Sequence, residues 1–385
     1  MIPYGRQEIN DADVAAILDV LRSDWLTQGP IGAQFESALA QYVGIEHAIV
    51  VSNATAALHL TYLGMGMKPG KLVWTTPNTF VATANAALYC GANIDFVDID
   101  PQSYCLSMDA LEAKLIQTCQ SGGQLPDLVA TVHFAGQSCD MPRLFSLGQH
   151  YGFKIVEDAS HAIGADADGC KVGHCLYSDA CIFSFHPVKI ITTGEGGAIT
   201  TKDPGLAQRL YELRSHGIVR DNTRMVGASE GAWYYQQIIL GYNYRLTDIQ
   251  SALGLSQLQR IDAFISRRRA LAANYDLMLA ELPLVLPWQH PEGQSSFHLY
   301  PVTLKLDQVA QGRAAVFDSL RKAGIGVNVH YIPVHLQPYY RELGFKHGSF
   351  PHSEAYYEAA LTLPLFAGMS DQQQYEVVTA LTAIL

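Results

Sequence analysis

Between His47 and Thr200 the chain alternates short β-branched runs with stretches of helical periodicity, starting with His47-Ala48-Ile49-Val50-Val51 and then Thr55 to Leu63. That alternation restricts the fold to an α/β class, a large mostly parallel sheet covered by helices. Further strands are expected at Lys71 to Trp74, Ile94 to Val97, Leu128 to Val132, Phe153 to Val156, Ala180 to Phe185 and Gly197 to Thr200. From Thr247 to Leu282 apolar residues recur at helical spacing, with Gly254 the one weak point, which predicts a single long helix bridging two domains. After Leu286-Pro287 the pattern restarts as a smaller α+β unit, with a strand at His298 to Leu304 and helices at Arg313 to Ala323 and Ser370 to Leu385. The expected division is an N-terminal arm and large domain over residues 1–250, then the bridging helix and small domain over 251–385.

Composition narrows the functional classes. A net charge of -11, with no run of Lys or Arg, disfavours a nucleic-acid partner. The seven cysteines contain no CxxC pair and no secretory leader is expected at Met1-Ile2-Pro3, so free thiols in a reducing cytoplasm are expected. Cys170, His174, Cys175 and Cys181 form a loose group without the paired spacing of a zinc site, so no metal is expected. No apolar run reaches membrane-spanning length, and no membrane partner is expected.

The segment Ser184-Phe185-His186-Pro187-Val188-Lys189, followed by Thr192-Thr193-Gly194-Glu195-Gly196-Gly197, places one lysine in a short apolar strand ahead of a glycine-rich loop. Beside Val188, Ile190 and Ile191 its amine would be partly desolvated, which favours the neutral nucleophile and suits a Schiff-base site. A lysine at a strand end also commonly snorkels its ammonium into water, and the segment alone leaves both readings open. Other segments are equally two-sided. Ser52-Asn53-Ala54-Thr55 opens a helix after a strand, which makes either an ordinary cap or a phosphate cradle. Glu157-Asp158 ends a strand, where ligands of open sheets bind. Asp158 faces opposite to Glu157 and either caps the next helix or holds a cofactor nitrogen. Phe80 either fills core or stacks on a ring, while Gly241 to Asp248 and Val329 to Pro333 read as loops.

Taken in order, these segments resemble the pyridoxal phosphate-dependent sugar aminotransferases of the DegT/DnrJ class, which have the aspartate aminotransferase-like fold (fold type I). The likeness runs end to end through Trp25-Leu26-Thr27-Gln28-Gly29-Pro30, Asn53-Ala54-Thr55-Ala56-Ala57, Glu157-Asp158-Ala159, Ser184-Phe185 with Lys189, Gly194-Glu195-Gly196-Gly197, Arg214-Ser215-His216-Gly217 and Tyr242-Asn243-Tyr244-Arg245. Thr83 to Ala92 and Val329-His330-Tyr331-Ile332-Pro333 carry a closer likeness to transaminases of pseudaminic acid synthesis, which act on a UDP-linked 4-keto-6-deoxy-N-acetylhexosamine.

The resemblance implies that Lys189 bonds the cofactor pyridoxal 5'-phosphate, Asp158 pairs with its pyridine nitrogen, Phe80 stacks on the ring and His161 lies beside the ring hydroxyl. It implies that the phosphate is held by Ala54, Thr55 and Ser184, and by Asn243 reaching over from a second subunit of a homodimer. It implies that Tyr4, Asp24, Trp25, Leu26, Thr27, Asn53, His186, His330, Tyr331, Ile332 and Pro333 line the nucleotide-sugar pocket, with L-glutamate as amino donor. The class often carries a basic residue near position 24 or 25, absent here, which leaves Arg214, Arg220 and Arg245 as candidates for the diphosphate. Lys189 argues against a sugar dehydratase, which carries histidine there, and the intact Lys189, Asp158 and Ser184 set argues against a non-catalytic regulator. Transaminases of dTDP- or GDP-linked keto sugars, or of C3 ketones, are the remaining alternative.

Overall fold

In the computed structural model, which describes residues 1–385, the β-branched runs pair into one seven-stranded sheet. Its strands are β1 (His47–Val51), β2 (Leu72–Thr75), β3 (Asn93–Phe96), β4 (Leu128–Val132), β5 (Lys154–Asp158), β6 (Ala180–Ser184) and β7 (Gly197–Thr201). They lie in the order β1-β7-β6-β5-β4-β2-β3, and β7 alone runs antiparallel to its neighbours. β4, β6 and β7 are buried along their whole length, as strands with helices on both faces must be. Alternate residues feed opposite layers. Ile182 joins the core of Ala57, Leu60 and Tyr62, while Cys181 and Phe183 join the core of Phe35, Leu39 and Phe185. Each fully buried Phe or Leu of these layers contributes about 1.5–3 kcal/mol. The carboxyl ends of six strands and the amino end of β7 share one edge, where Val51, Ser184 and Gly197 meet in register.

The predicted long helix is two, Asp248–Leu258 and Ile261–Met278. The break falls at Gln259-Arg260, not at Gly254. Arg260 leaves helical geometry while its guanidinium reaches the fully buried Asp13, Nη2 to Oδ2 2.5 Å, which Gln257 also bonds. Gly254 stays helical because its missing side chain makes room for the Phe35 ring, which would come within 2.6 Å of a Cβ.

The smaller unit is the antiparallel set β8 (Leu284–Val285), β9 (Tyr300–Leu304) and β10 (Ala360–Leu363), covered by the helices Gly312–Lys322 and Asp371–Ile384. Ser370, expected as the first residue of the last helix, instead caps it with a capping box. Ile2 and Tyr4, within the residues 1–250 grouped above, are bonded to this smaller unit through Gly324, Gly326 and Leu365. No helix is long and apolar enough to cross a membrane.

Candidate active site

A cavity of about 960 Å³ opens at the shared strand edge, between the sheet and the smaller unit. Lys189 projects into it, but from a turn rather than from the predicted strand, since β6 stops at Ser184. The chain reverses there because Thr192 Oγ1 and the Thr193 N–H both donate to the Phe185 carbonyl, and the Lys189 N–H donates to His186 O. Ile190 and Ile191 are buried behind the turn. Burial pushes the Lys189 ammonium down from its ordinary 10.5 to about 8, against the attraction of Asp158. A useful fraction of the amine is therefore neutral near pH 7, the state a nucleophile or base needs.

Asp158 ends β5 on the cavity side. Its Oδ2 accepts from Thr83 Oγ1 at 2.6 Å and its Oδ1 from the Ser160 N–H at 3.1 Å, which fixes the carboxylate; the expected helix does not form, since residues 160–164 are turns, so Asp158 caps no helix. Thr83 is itself steered by Thr79 at 2.8 Å. Glu157 points to the opposite face, as strand alternation requires, and bonds His133 Nε2 at 2.7 Å and Ser178. The Cys139 N–H donates to His133 Nδ1 at 3.1 Å, so Nε2 carries the ring's one proton and donates it to Glu157. A buried imidazole–carboxylate hydrogen bond thus lies one residue from the site carboxylate.

Asn53 caps the helix Ala54–Gly64 by accepting from the Ala56 N–H at 2.8 Å. The N–H groups of Ala54 and Thr55, ahead of any intrahelical partner, stay free at the positive end of the helix dipole. Gly197 lies so close beneath this turn that a Cβ would come within 2.6 Å of Ala54 N. Only a residue without a side chain lets the turn rest on the sheet, with Ser184 beside it in the cavity wall. This is an anion cradle.

Phe80 is 60% exposed on the cavity wall, which removes the core reading and leaves its ring face free. His161 Nδ1 accepts from the Ala135 N–H, so its Nε2 carries the proton and donates to Tyr331 Oη at 2.9 Å. Burial first, then the charges of Lys189 and His330, hold His161 well below its ordinary value. His330 falls to about 3, by burial and then Lys189, with Thr362 Oγ1 2.8 Å from its Nδ1.

Of the residues expected at the pocket, Tyr4, Asn53, Ala54, Thr55, Phe80, Asp158, His161, Ser184, His186, Lys189, His330 and Tyr331 line this one cavity. Others do not. Asp24, Trp25, Leu26 and Thr27 lie outside it, pinned beside the helix Asp248–Leu258 where Leu26 O accepts from the Asp248 N–H. Ile332 points to solvent, and Pro333 is buried where Val334 N bonds Pro77 O. Asn243 is exposed, held only by a backbone bridge to Ser215. The three arginines are also elsewhere. Arg214 is taken up by Glu36 and Val50 O, Arg220 stands over the Tyr235 ring, and Arg245 bridges Val51.

The sequence reading missed Thr83 and His298. Thr83 looked like one of several small residues in a helix, and its spacing of four from Thr79 was the available signal. His298 was read as the first residue of a strand, yet its Nε2 lies 3.4 Å from Lys189 Nζ. The donor set fits pyridoxal phosphate: a partly neutral amine, a fixed carboxylate in the same cavity, a free helix N-terminus cleared by Gly197, and an exposed ring.

Comparison with known proteins agrees with this chemistry. The model of the DegT/DnrJ/EryC1/StrS aminotransferase family matches residues 7–382. A UDP-4-amino-4,6-dideoxy-N-acetyl-beta-L-altrosamine transaminase of Campylobacter jejuni subsp. jejuni serotype O:23/36 is 37% identical over 386 residues, covering 100% of this chain and 98% of the relative. Helicobacter pylori PseC, an aminotransferase involved in the biosynthesis of pseudoaminic acid, superposes with TM-score 0.91 at 31% identity, covering 100% of this chain and 98% of that one. The putative sugar aminotransferase Spr1654 from Streptococcus pneumoniae superposes in its PMP form with TM-score 0.90 and in its PLP form with 0.89, at 29% identity, covering 100% of this chain and 99% of that one.

Proposed function

The chain belongs to the DegT/DnrJ/EryC1/StrS aminotransferase family, sugar aminotransferases of fold type I that depend on pyridoxal phosphate, and from that premise we propose that it moves the amino group of L-glutamate to a UDP-linked 4-keto-6-deoxy-N-acetylhexosamine. The product is a 4-amino sugar of the kind used for pseudaminic acid. The reading is carried by the full-length likeness to the Campylobacter transaminase, together with a cavity lined by both Lys189 and Asp158.

Pyridoxal phosphate supplies, when bound, an electron-withdrawing ring that eases heterolysis at the carbon bearing the amino group. The chain's own residues do the rest. The Ala54-Thr55 turn and Ser184 would hold its phosphate, Phe80 would cover a ring face, and Asp158, oriented by Thr83 and Ser160, would pair with the ring nitrogen. Neutral Lys189 takes the proton from the donor's α carbon and returns one to the sugar carbon. Neutral His161 donates to Tyr331 and keeps that wall uncharged. Both substrates use one cavity in turn, so initial-rate lines should be parallel; intersecting lines would count against the scheme.

A homodimer acting in the cytoplasm is part of the proposal. Asn243 and the 24–27 loop would serve the site of the second subunit, a reading supported by the exposure of Asn243, Trp25 and Leu26. The seven free thiols suit a reducing compartment. The deciding experiment supplies L-glutamate with UDP-, dTDP- and GDP-linked 3- and 4-keto sugars and identifies products by mass and NMR. Turnover confined to a dTDP- or GDP-linked sugar, or amination at C3, would overturn the assignment.

A further inference from the structure

We propose that His298 is a positioning residue for the reaction: its Nε2 receives the hydrogen bond of protonated Lys189 and holds that lysine, with the proton it has taken from carbon, in line with the cavity. The inference rests on Lys189 being the reactive amine proposed above, and it is independent of the sugar. Nζ and Nε2 stand 3.4 Å apart across the cavity wall. The His298 ring is buried, and its other nitrogen, Nδ1, has no partner. An ammonium has only donors, so Nε2 accepts and the proton of the ring sits on the unpartnered Nδ1. A buried N–H without an acceptor is a net cost to folding, which removes stability as the reason for a histidine here.

The surroundings keep the imidazole an acceptor. Asp158 and His161 face the pair from the end of β5, and His330 and Tyr331 face it from the 328–331 segment. His186 and Glu195 stand on the lysine's own loop, and Tyr4 on the N-terminal arm. Behind the ring, Arg268 of the helix Ile261–Met278 donates to the His298 carbonyl at 3.3 Å. Burial, and then the charges of Lys189, His161, Arg268 and His330, hold His298 well below its ordinary value. During the reaction the substrate proton therefore passes to the Lys189 nitrogen, the electron pair of the C–H bond stays with the substrate, and His298 gains only a hydrogen bond. The same proton is then available for the acceptor carbon.

The test compares His298→Phe, which keeps a flat ring, with His298→Gln, whose Oε1 falls near the place of Nε2. In the cofactor-free full chain, the titration of Lys189 is followed by the pH dependence of its acetylation, read by peptide mass spectrometry. A hydrogen bond to the charged form favours that form. The Phe variant should titrate about one pH unit below wild type and the Gln variant within a few tenths of it. Single-turnover deamination of glutamate should slow about tenfold or more in Phe, with KM little changed, and be largely restored in Gln. The proposal fails if Phe and Gln shift alike, if Phe leaves the titration in place, or if Phe moves it upward. Should Phe not fold, the 15N shift of the His298 ring in wild type decides. It should follow the ionisation of Lys189 and lose that step in Lys189→Met, and a ring shift without that step overturns the proposal. Borohydride trapping at Lys189 tests the proposed function separately from this outcome.

Discussion

Replacing Lys189 by Met should stabilise the cofactor-free protein, and by an amount that depends on pH in a defined direction. Burial lowers the amine from 10.5 to about 8, which at about 1.36 kcal/mol per pH unit is a folding penalty of about 3 kcal/mol. Below pH 8 both folded and unfolded chains carry the ammonium, so the whole penalty is present. Between 8 and 10.5 the folded protein sheds the proton while the unfolded chain keeps it, and wild type gains stability as pH rises. Above that range both are neutral and the penalty is gone. The variant, which has nothing to titrate there, should exceed wild type by about 3 kcal/mol at pH 7, about 2 at pH 9 and about 1 at pH 10. Partial access of the side chain to cavity water makes these upper figures. Urea denaturation of both proteins at fixed concentration, across those pH values, measures the difference. Packing changes add a constant, so a difference that stays flat or widens with pH would refute the reasoning.

Asp158→Asn should lower the rate of glutamate deamination about 100-fold or more, because the fixed negative charge facing the ring is lost. Thr83→Val, which strips Asp158 Oδ2 of its 2.6 Å donor, should lower it about tenfold with the cofactor still bound; single-turnover absorbance measures both. Gly197→Ala forces a Cβ to 2.6 Å from Ala54 N and should weaken cofactor binding by about tenfold or more, seen by titrating cofactor into the apoprotein. Glu157→Gln exchanges the carboxylate that accepts from His133 Nε2 and Ser178 for a neutral amide and should cost about 1–3 kcal/mol, measured by urea midpoints; an unchanged midpoint would count against the role.

The sheet was legible because its strands are short and centred on apolar, largely β-branched residues, and the site residues at or just past a strand end, Asn53, Asp158 and Ser184, inherit their position from it. The lysine turn was not legible as a turn. Val188, Ile190 and Ile191 look like strand residues, and the reversal depends on Thr192 and Thr193 reaching back to one carbonyl. Gly254 misled for a related reason, since its absent side chain serves Phe35, while the true break rests on Arg260 meeting Asp13 from the other end of the chain. His298 and Thr83 enter the site only through tertiary contact, at 3.4 Å to Lys189 and 2.6 Å to Asp158. The 24–27 loop shows the converse. Its sequence marks a family feature, but within one chain its backbone is committed to Asp248.

The antiparallel insertion of β7 between β1 and β6 sets an order on maturation. The turn after β1, proposed above to hold the phosphate, gains its floor only when Gly197, far later in the sequence, slots in against it. A nascent or truncated chain ending before Gly197 possesses the lysine, the carboxylate and the helix Ala54–Gly64, yet lacks the floor of that turn. Cofactor loading should thus follow completion of the sheet.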